Sequence, residues 1–571
     1  VLIEQLVRAH TDDGTVRYHR SRAVRWAVHL TRDGNAQLID RADSDHKSGP
    51  PMSTPYVVRA SGDTPTLLVD TMEYVLGIAE NDTAAAQTRA DKRHANYLAL
   101  LQEWNAASGD PIAATVIELF SAQVRIELAA QARIREAASS DLVCLVIDAE
   151  LVHMCGSAVE FWAQVARTRK GSGVTGVCLS CGEVGPLLKS VPDMVKGHLI
   201  PVGIDAKGQP KRGRDAALVS INTSAQGRSG RKQLVNTPLC EDCGGRAISA
   251  LNTMLADQNH RRRGDDTVFV WWLRTRAAFN PLIIDDPDPN DVTTLLNEIN
   301  TIDSSGAFED NEFYGLLLSA NQSRVIVRDW IDVPLTRIKA RLAEWFTDHE
   351  STQLWDDGVH AVALWRMVQA SGRWDRGSEK YVAGSAVRGL ERDLLRCALH
   401  GSAPPPSLVP QLLHRIRNDH RIDAPRVAML RLALTRPPYK ETVMPGLDDT
   451  ATDPGYVWGR MFAVLEAIQR KAIPDINTTI RDKYLALAMS RPEATMRTLR
   501  LGANGHLKKL RGTEATRGAG YALDAKLAVL SEHLQTLPAL LDGHGQIRFI
   551  LGYDHQRAAD MAAARAAKAA K

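Results

Sequence analysis

The chain has 571 residues, 44% hydrophobic and 24% charged, with a formal net charge of +3, an ordinary composition for a soluble protein with several cores. No stretch approaches the run of about 20 apolar residues that crosses a bilayer, and the opening residues, with Glu4, His10, Asp12 and Asp13, lack a signal-peptide core, so a cytoplasmic protein without a membrane partner is expected. Seven cysteines in so long a chain fit a reducing compartment better than a disulfide framework, and the charge balance is too mild to mark a nucleic-acid binder by itself, which leaves that question to local patches.

Leu2 to Ala9 are spaced as a short amphipathic helix, and an extended run starts at Val16. Val24, Trp26, Val28 and Leu30 alternate with Arg25, Ala27 and His29, the period of a half-buried strand, and Asp33-Gly34 signals a hairpin before residues 36–40. Arg17, Arg20, Arg22 and Arg25 reach outward from this strand toward any phosphate backbone beside it, although exposed arginines around a strand are commonplace. Residues 57–77 hold Arg59 and then a turn of small polar residues, Ser61-Gly-Asp-Thr64, between a strand and a short helix that begins near Thr71. Such a turn brings amides and hydroxyls close to a ligand. Residues 112–137 predict one helix with Ile117, Phe120, Val124 and Leu128 on one face, 142–147 a buried strand, and 157–168 a helix carrying Phe161 and Trp162. Gly171-Ser-Gly-Val-Thr-Gly176 has the letters of the dinucleotide fingerprint, but it follows a helix and leads into a cysteine pair, the wrong context for that fold.

The sharpest signal comes next. Cys178-Leu-Ser-Cys181 and Cys240-Glu-Asp-Cys243 form two knuckles, each able to aim two thiolates at one ion, and Gly182 and Gly244 after them supply the backbone freedom the turns need. The pattern predicts one zinc, and four protein ligands make it structural, because a catalytic zinc keeps a position open for water. Cys144, Cys155 and Cys397 show no such pairing. Residues 182–239 between the knuckles are poor in apolar runs and carry nine basic against four acidic side chains. Metal closure can hold such a segment folded, and a metal-anchored basic loop suits a polyanion. Within it Lys211, Arg212, Arg214, Arg228, Arg231 and Lys232 are candidate DNA contacts, with Gln233 and Asn236 as candidates for reading bases.

Ile248, Leu251 and Leu255 mark a helix, 267–273 a buried strand, and the Pro- and Asp-rich residues 284–291 a surface loop. Residues 313–319 and 324–330 predict two strands joined by a turn, after which the sheet ends. Helical periodicity takes over with Leu335, Ile338, Leu342 and Trp345, and a linker at 436–455 containing Met444 precedes a helical bundle. In the bundle Val457, Met461, Leu465 and Ile468 form one stripe and Leu523, Leu527, Leu530 and Leu534 another, and Ser490-Arg-Pro-Glu493 has the letters of a capping box. Between the stripes Arg497, Arg500, Lys508, Lys509 and Arg511 occur without an acid, which suits a groove tracking a nucleic-acid strand. The fold class expected is α+β, an N-terminal mixed α/β region with an inserted zinc-stapled basic loop, followed by a C-terminal all-α helical bundle. The boundaries fall at residues 1–177, 178–243, 244–335, 336–440 and 441–571.

Five stretches in order, Thr66-Leu-Leu-Val-Asp-Thr-Met-Glu-Tyr-Val-Leu-Gly77, Phe313-Tyr-Gly-Leu-Leu-Leu-Ser-Ala-Asn-Gln-Ser-Arg324, Gly459-Arg-Met-Phe-Ala-Val-Leu-Glu-Ala-Ile-Gln469, Asn504-Gly-His-Leu-Lys-Lys509 and Phe549-Ile-Leu-Gly-Tyr-Asp-His-Gln-Arg557, resemble the large subunit of the type I-C CRISPR surveillance complex, Cascade, the eighth Cas family, subtype c. The resemblance covers nearly the whole chain. It implies a non-enzymatic subunit that reads the short motif flanking the target (PAM) in double-stranded DNA, helps open the duplex, holds the displaced strand, and recruits a helicase-nuclease, while guide pairing supplies sequence specificity. The implied partners are a guide RNA ribonucleoprotein with backbone and RNA-end subunits, and small subunits resembling residues 441–571. In that group the small subunit arises by internal initiation, and Met444 lies just ahead of the first helix of the bundle.

The residues themselves offer no His-Glu-x-x-His, no phosphate loop and no nucleophile with its base. A different class, a zinc-ribbon nuclease or nucleic-acid-modifying enzyme, would use acids such as Asp265 and Asp266 around a second metal and would cleave DNA with magnesium. A helical scaffold without a nucleic-acid role would bind DNA weakly and without regard to salt.

Overall fold

The computed structural model describes residues 2–10, 16–59, 63–204, 210–305, 311–321, 324–356, 358–534 and 536–570. The chain divides into two compact units, Val1–Gly203, Pro210–Val270 and Leu316–Trp330 in the first, and Ile204–Gln209, Trp271–Gly315 and Ile331–Lys571 in the second.

In the first unit α1 (Leu2–Ala9) buries Leu6, and β1 (His19–Ala23) follows. The expected hairpin forms: β2 (Trp26–Leu30) and β3 (Ala36–Asp40) pair antiparallel with Val28 opposite Leu38. β4 (Pro51–Pro55) returns to pair with β1, and β5 (Val69–Thr71) runs directly into the one-turn helix α2 (Met72–Val75). Three helices, α3 (Ala84–Ser108), α4 (Pro111–Leu119) and α5 (Ala122–Ile134), precede β6 (Leu142–Ile147) and the short β7 (Glu150–Leu151). The sheet order is β3-β2-β6-β5 with β7 beside β6; β2 runs parallel to β6, and β5 antiparallel to it. β2 is therefore central rather than half-buried. Trp26, Val28 and Leu30 face the larger core, while Ala27 joins Val24, Val69, Cys144 and Val146 on the other side.

Residues 112–137 form two helices, not one. The first ends at Phe120, and the hydroxyl of Ser121 accepts from the Val124 amide at 3.4 Å, satisfying one of the donors a new helix leaves open. α6 (Gly156–Lys170) buries Trp162 as expected and passes into β8 (Gly171–Val177), so the glycine-rich string is a strand rather than a nucleotide turn. β8 pairs with β9 (Val184–Leu188), β10 (Pro201–Ile204) pairs with β11 (Pro210–Arg212), and α7 (Glu241–Ala256) follows.

A four-stranded sheet has the order β12 (Arg261–Arg263), β13 (Val268–Leu273), β14 (Glu312–Asn321) and β15 (Arg324–Pro334), with α8 (Pro289–Ser305) in the connection to β14. The predicted loop at 284–291 is thus a loop only to Asp288, because Pro289 starts a helix whose first turn tolerates it. Of the predicted turn after β14, residues 322 and 323 lie outside the described residues.

In the second unit α9 (Leu335–His349) buries Leu335, Ile338, Leu342 and Trp345, the predicted stripe. Strand structure continues beyond residue 330, against expectation, as two small hairpins: β16 (Ser351–Thr352) with β17 (Val359–His360), and, after α10 (Leu364–Ala370), β18 (Trp374–Asp375) with β19 (Lys380–Tyr381). α11 (Leu390–His400), α12 (Leu408–Asp419) and α13 (Ala424–Thr435) lead to the loop holding Met444, which is 54% exposed. α14 (Pro454–Ala472), α15 (Ile480–Ser490), α16 (Pro492–Gly512), α17 (Glu514–His533) and α18 (Gly543–Ala569) complete the unit. The cap expected at Ser490 is elsewhere. Ser490 is still inside α15, its hydroxyl donating to the Ala486 carbonyl at 2.8 Å, and the reciprocal box is Thr479 with Asp482, whose carboxylate accepts the Thr479 amide at 2.9 Å. Among the described residues no helix is long and apolar enough to cross a membrane.

α14 and α18 are the bundle's central pair. Their glycines meet the partner backbone: a Cβ on Gly459 would lie 2.0 Å from the Phe549 carbonyl oxygen, and one on Gly552 2.0 Å from that of Tyr456. Buried polar pairs line the crossing, Tyr553 to Glu466 at 2.5 Å, Arg460 to Gln556 at 3.0 Å and Tyr456 to His555 at 3.0 Å. Beside them burial pushes the Asp554 carboxyl up to about 7, against the pull of Arg557. A carboxyl raised above its ordinary 3.8 stabilises the fold fully below that value and loses the contribution as pH climbs through 7. Asp554→Asn is expected to gain on the order of 4 kcal/mol relative to wild type between pH 4 and pH 8. Denaturant titrations at the two pH values measure this, and equal differences at both would show that folding does not raise the carboxyl above its unfolded value.

Candidate metal centre and nucleic-acid surfaces

The first knuckle is the turn of the β8–β9 hairpin and the second is the start of α7, with Cys240 as its N-cap. Gly182 takes φ +78, the left-handed turn that the knuckle requires. Gly244 has a different role from the one its position suggested. It is helical, and a Cβ there would sit 2.6 Å from Cδ1 of Leu188, so it allows α7 to lie against β9. The two knuckles are joined by backbone: Leu179 donates to the Pro238 carbonyl and Leu188 to that of Leu239, both at 2.9 Å.

This brings the four sulfurs within 4.8 Å of one another, and Cys181 and Cys240 to 3.9 Å. Four thiolates at the usual 2.3 Å from a tetrahedral zinc stand about 3.8 Å apart. Cys178 and Cys243 are buried, Cys240 is partly so and Cys181 is exposed. Burial raises the Cys178 thiol, but the amides of Cys181, Cys240 and Ser180 outweigh it and bring the group down to about 7. Burial raises Cys240 and Cys243, and the neighbouring Cys178 adds to this in both, because negative sulfurs this close repel one another. A cation removes that repulsion, so the donor set fits a soft divalent metal. The cluster can hold a metal ion. Asp265 and Asp266, in contrast, lie exposed in the turn between β12 and β13.

The segment between the knuckles is not without a core. Leu188, Val191 and Leu234 are buried together, with Ala217 and Val219 packed against them. Around this core Lys211, Arg214, Arg228, Arg231 and Lys232 are exposed, and among the described residues none has an ion-pair partner. Gln233 is exposed, with φ +58, and Asn236 is partly buried, its amide donating to the Arg228 carbonyl at 3.2 Å. Arg212 lies on β11, its side chain outside the described residues, as does the whole of Lys207.

Toward the N-terminus the arginines divide. Arg17 is 64% exposed beside Asp242. Arg20, expected to reach a phosphate, is instead 12% exposed, held between Asp193 at 3.2 Å and Asp215 at 3.4 Å over the Tyr56 ring. Arg22 donates to the Thr54 hydroxyl and the Pro55 carbonyl, and Arg25 pairs with Asp40 and Asp141. Carboxylates, a hydroxyl and a carbonyl from other segments claim these guanidiniums, and the local sequence does not show that.

Arg59 is likewise fastened, both oxygens of the fully buried Asp70 lying 2.5 Å from its Nη2, and its guanidinium stacks 4.3 Å from the Tyr74 ring. Asp70 also accepts the amides of Thr66 and Thr71. Thr71 is the N-cap of α2, yet its hydroxyl makes no cap bond. It lines a cavity of about 670 Å³ with Arg59, Tyr74, Arg89, Arg93 and Ser139. Ser61 lies outside the described residues, and Thr64 is partly buried. The α3 residues of this cavity were not anticipated. Arg89 and Arg93, with Lys92 beside them outside the cavity, follow the i, i+3, i+4 spacing of one helix face, the signal that could have found them; the three pair with Glu73, Glu80 and Asp63.

In the second unit the five candidate cations for the displaced strand all lie on α16. At 100° per residue Arg497, Arg500, Lys508 and Arg511 fall within about 80° of one another, beside the buried stripe of Leu499, Ala503, Leu507 and Leu510, and Lys509 points elsewhere. Arg497, Lys508 and Lys509 are exposed; Arg500 is half-buried, and Arg511 pairs with Asp524 and stacks on Tyr521.

Residues 4–561 match the family model described as CRISPR-associated protein (Cas_Csd1). The comparison with curated proteins returned no match. The family match reaches through both units and includes both cysteine knuckles, α16 and the α14–α18 pair. The chain belongs to the CRISPR-associated Csd1 family and is a type I-C large subunit, a component of the Cascade complex.

Proposed function

We propose that this subunit recognises the motif flanking the target in double-stranded DNA, helps open the duplex, stabilises the displaced strand and recruits the helicase-nuclease, without catalysing a reaction itself. Its further partners are the guide RNA ribonucleoprotein with its backbone and RNA-end subunits, and small subunits built like its own C-terminal bundle. The metal is zinc with a structural role. One observation carries this reading: Lys211, Arg214, Arg228, Arg231 and Lys232 stand exposed and unpaired among the described residues, on a segment that the cysteine cluster closes. Cations without protein partners are free to displace counterions from a phosphate backbone. Thr71 supports the finer step. A hydroxyl not used for capping, beside a cavity rimmed by arginines, can meet a base edge while the cations hold the backbone.

Changing the five cations to alanine in the guide-loaded complex is expected to weaken duplex binding on every sequence and to reduce the salt slope by about 4, at roughly 0.9 per phosphate contact. Thr71→Val should instead lower the preference for the correct flanking motif by about 5- to 100-fold while leaving the slope alone. Binding measured at several salt concentrations distinguishes the two. An unchanged slope in the five-residue variant contradicts the assignment of the loop.

A further inference from the structure

The second unit carries a second basic surface, away from α16 in sequence. α12 presents His414 and Arg415, and two cavities of about 470 and 320 Å³ lie along it, both lined by that pair. Arg373 and Arg376, on either side of the β18 strand, also line the larger one. Arg415 is half-buried and Arg373 exposed, and neither guanidinium has a hydrogen-bond or ion-pair partner among the described residues. The Arg415 side chain is half-buried but its guanidinium still reaches water, so an anion bound there would exchange that water for a charge-assisted bond.

The nearby acids do not supply the missing partner. Asp419 is buried and spent on Arg426 at 2.7 Å, and the exposed Asp375 accepts from the Ser378 amide and hydroxyl at 3.1 and 2.6 Å and acts on Arg373 through charge alone, without an ion-pair contact. Arg376 is partly engaged, by the Asp419 carbonyl and by Asp482 at 3.4 Å. The walls are also rigid. Arg426, 0% exposed, donates to the carbonyls of Ala370, Gly372 and Arg421 and so fixes the loop before β18 against the end of α12. The Arg373 amide is held by the Ser385 hydroxyl at 2.9 Å, and the Trp374 amide by Asp419 at 3.1 Å. Cations without a protein hydrogen-bond partner on a preorganised wall describe a site for an anion, and two adjoining cavities sharing one arginine describe a ligand that repeats its anionic group.

We propose that the groove along α12 binds consecutive phosphates of a single-stranded nucleic-acid backbone, with Arg415 between two phosphates and Arg373 and Arg376 on the first. The proposal rests on the reading that this subunit handles nucleic acid, and it adds a contact track independent of α16. The shared chemistry is the phosphodiester chain, supplied either by the guide RNA or by the displaced DNA strand.

The test uses the full chain and labelled 20-nucleotide single strands of mixed sequence, one DNA and one RNA, with anisotropy titrations over a range of salt. Arg373→Ala with Arg415→Ala, changes at solvent-facing groups, should leave the thermal unfolding midpoint in place. They should weaken at least one strand about tenfold and make its salt slope shallower by roughly 1.4, at about 0.7 per phosphate of a single strand. Arg415→Lys in the presence of Arg373 should restore most of the affinity. Loss confined to RNA identifies the guide as the source, and loss confined to DNA the displaced strand. Unchanged affinity and slope for both strands, while neutralising α16 does weaken binding, overturn the groove alone. A wild-type chain that binds neither strand overturns the nucleic-acid reading together with the groove.

Discussion

Cys178→Ser combined with Cys243→Ser is expected to abolish metal binding and to expose residues 182–239 to protease, whereas wild-type protein should hold about one zinc per chain and resist cleavage there. The two buried sulfurs are the ones to replace. Cys178 also receives the amides of Ser180 and Cys240, so its loss removes the ligand and leaves those donors with a weaker acceptor. Structural zinc in small domains contributes roughly 10 kcal/mol or more, and here the small core around Leu188 and Leu234 supplies part of the segment's stability without metal. The expected local loss is therefore several kcal/mol rather than the full figure, enough to open the segment and not the five-stranded sheet. Elemental analysis gives the stoichiometry, and limited proteolysis with mass mapping of the cuts gives the location. Metal-free protein with the same cleavage pattern as the metal-bound form would remove the structural role.

Gly459→Ala destabilises the second unit by about 3–5 kcal/mol, a large effect for one methyl group. Alanine is intrinsically the better helix former by up to about 1 kcal/mol, so propensity alone predicts the opposite sign. Packing decides it. The new Cβ would lie 2.0 Å from the Phe549 carbonyl oxygen and 2.8 Å from the Tyr553 nitrogen, both backbone atoms of α18 that no rotamer change can move. The helices would have to separate, opening the contacts of Trp458, Phe462 and Phe549 and the Tyr553–Glu466 bond. Gly502→Ala on α16 is the control. A Cβ there would have nothing within 4 Å, and the change should stabilise by about 0.5–1 kcal/mol. Denaturant unfolding of the two variants measures both, and a Gly459→Ala protein as stable as wild type would mean that α14 and α18 do not cross so closely.

These two sites differ in how well the sequence displayed them. The knuckles were legible because metal ligation needs particular side chains at particular spacing, and the structure brings all four sulfurs together. The glycines of α14 and α18 stood in two of the five stretches that resemble the family, but the reason for them is a contact between segments about 90 residues apart, which no local pattern records. Long, regular elements such as β2–β3, β6, α9 and α14 followed their periodicity. α3 did not announce itself: its buried Tyr97, Leu100, Leu101 and Trp104 crowd into one half, and the other half is polar apart from buried alanines. The arginines were the hardest. Arg17 and Arg20 look alike in the chain, and only the distant Asp193 and Asp215 make one of them internal.

The basic segment enters and leaves at one place, because Leu187 bridges Cys240 and the β9 strand lies against the entrance to α7. A loop whose ends are already clasped can change length cheaply, each doubling costing only about 0.6 kcal/mol of closure entropy. Asp193 and Asp215 hold Arg20 of β1, and residues 194 and 196 bond Asn252 of α7, so it is the stretch from residue 222 to residue 232 that is in that sense a cassette. It can be shortened, lengthened or exchanged for one of different charge with the cysteines left in place, and the sheet of the first unit need not register the change. On the proposed function, retargeting the subunit to another flanking sequence would start from that replaceable insert and the cavity beside Thr71.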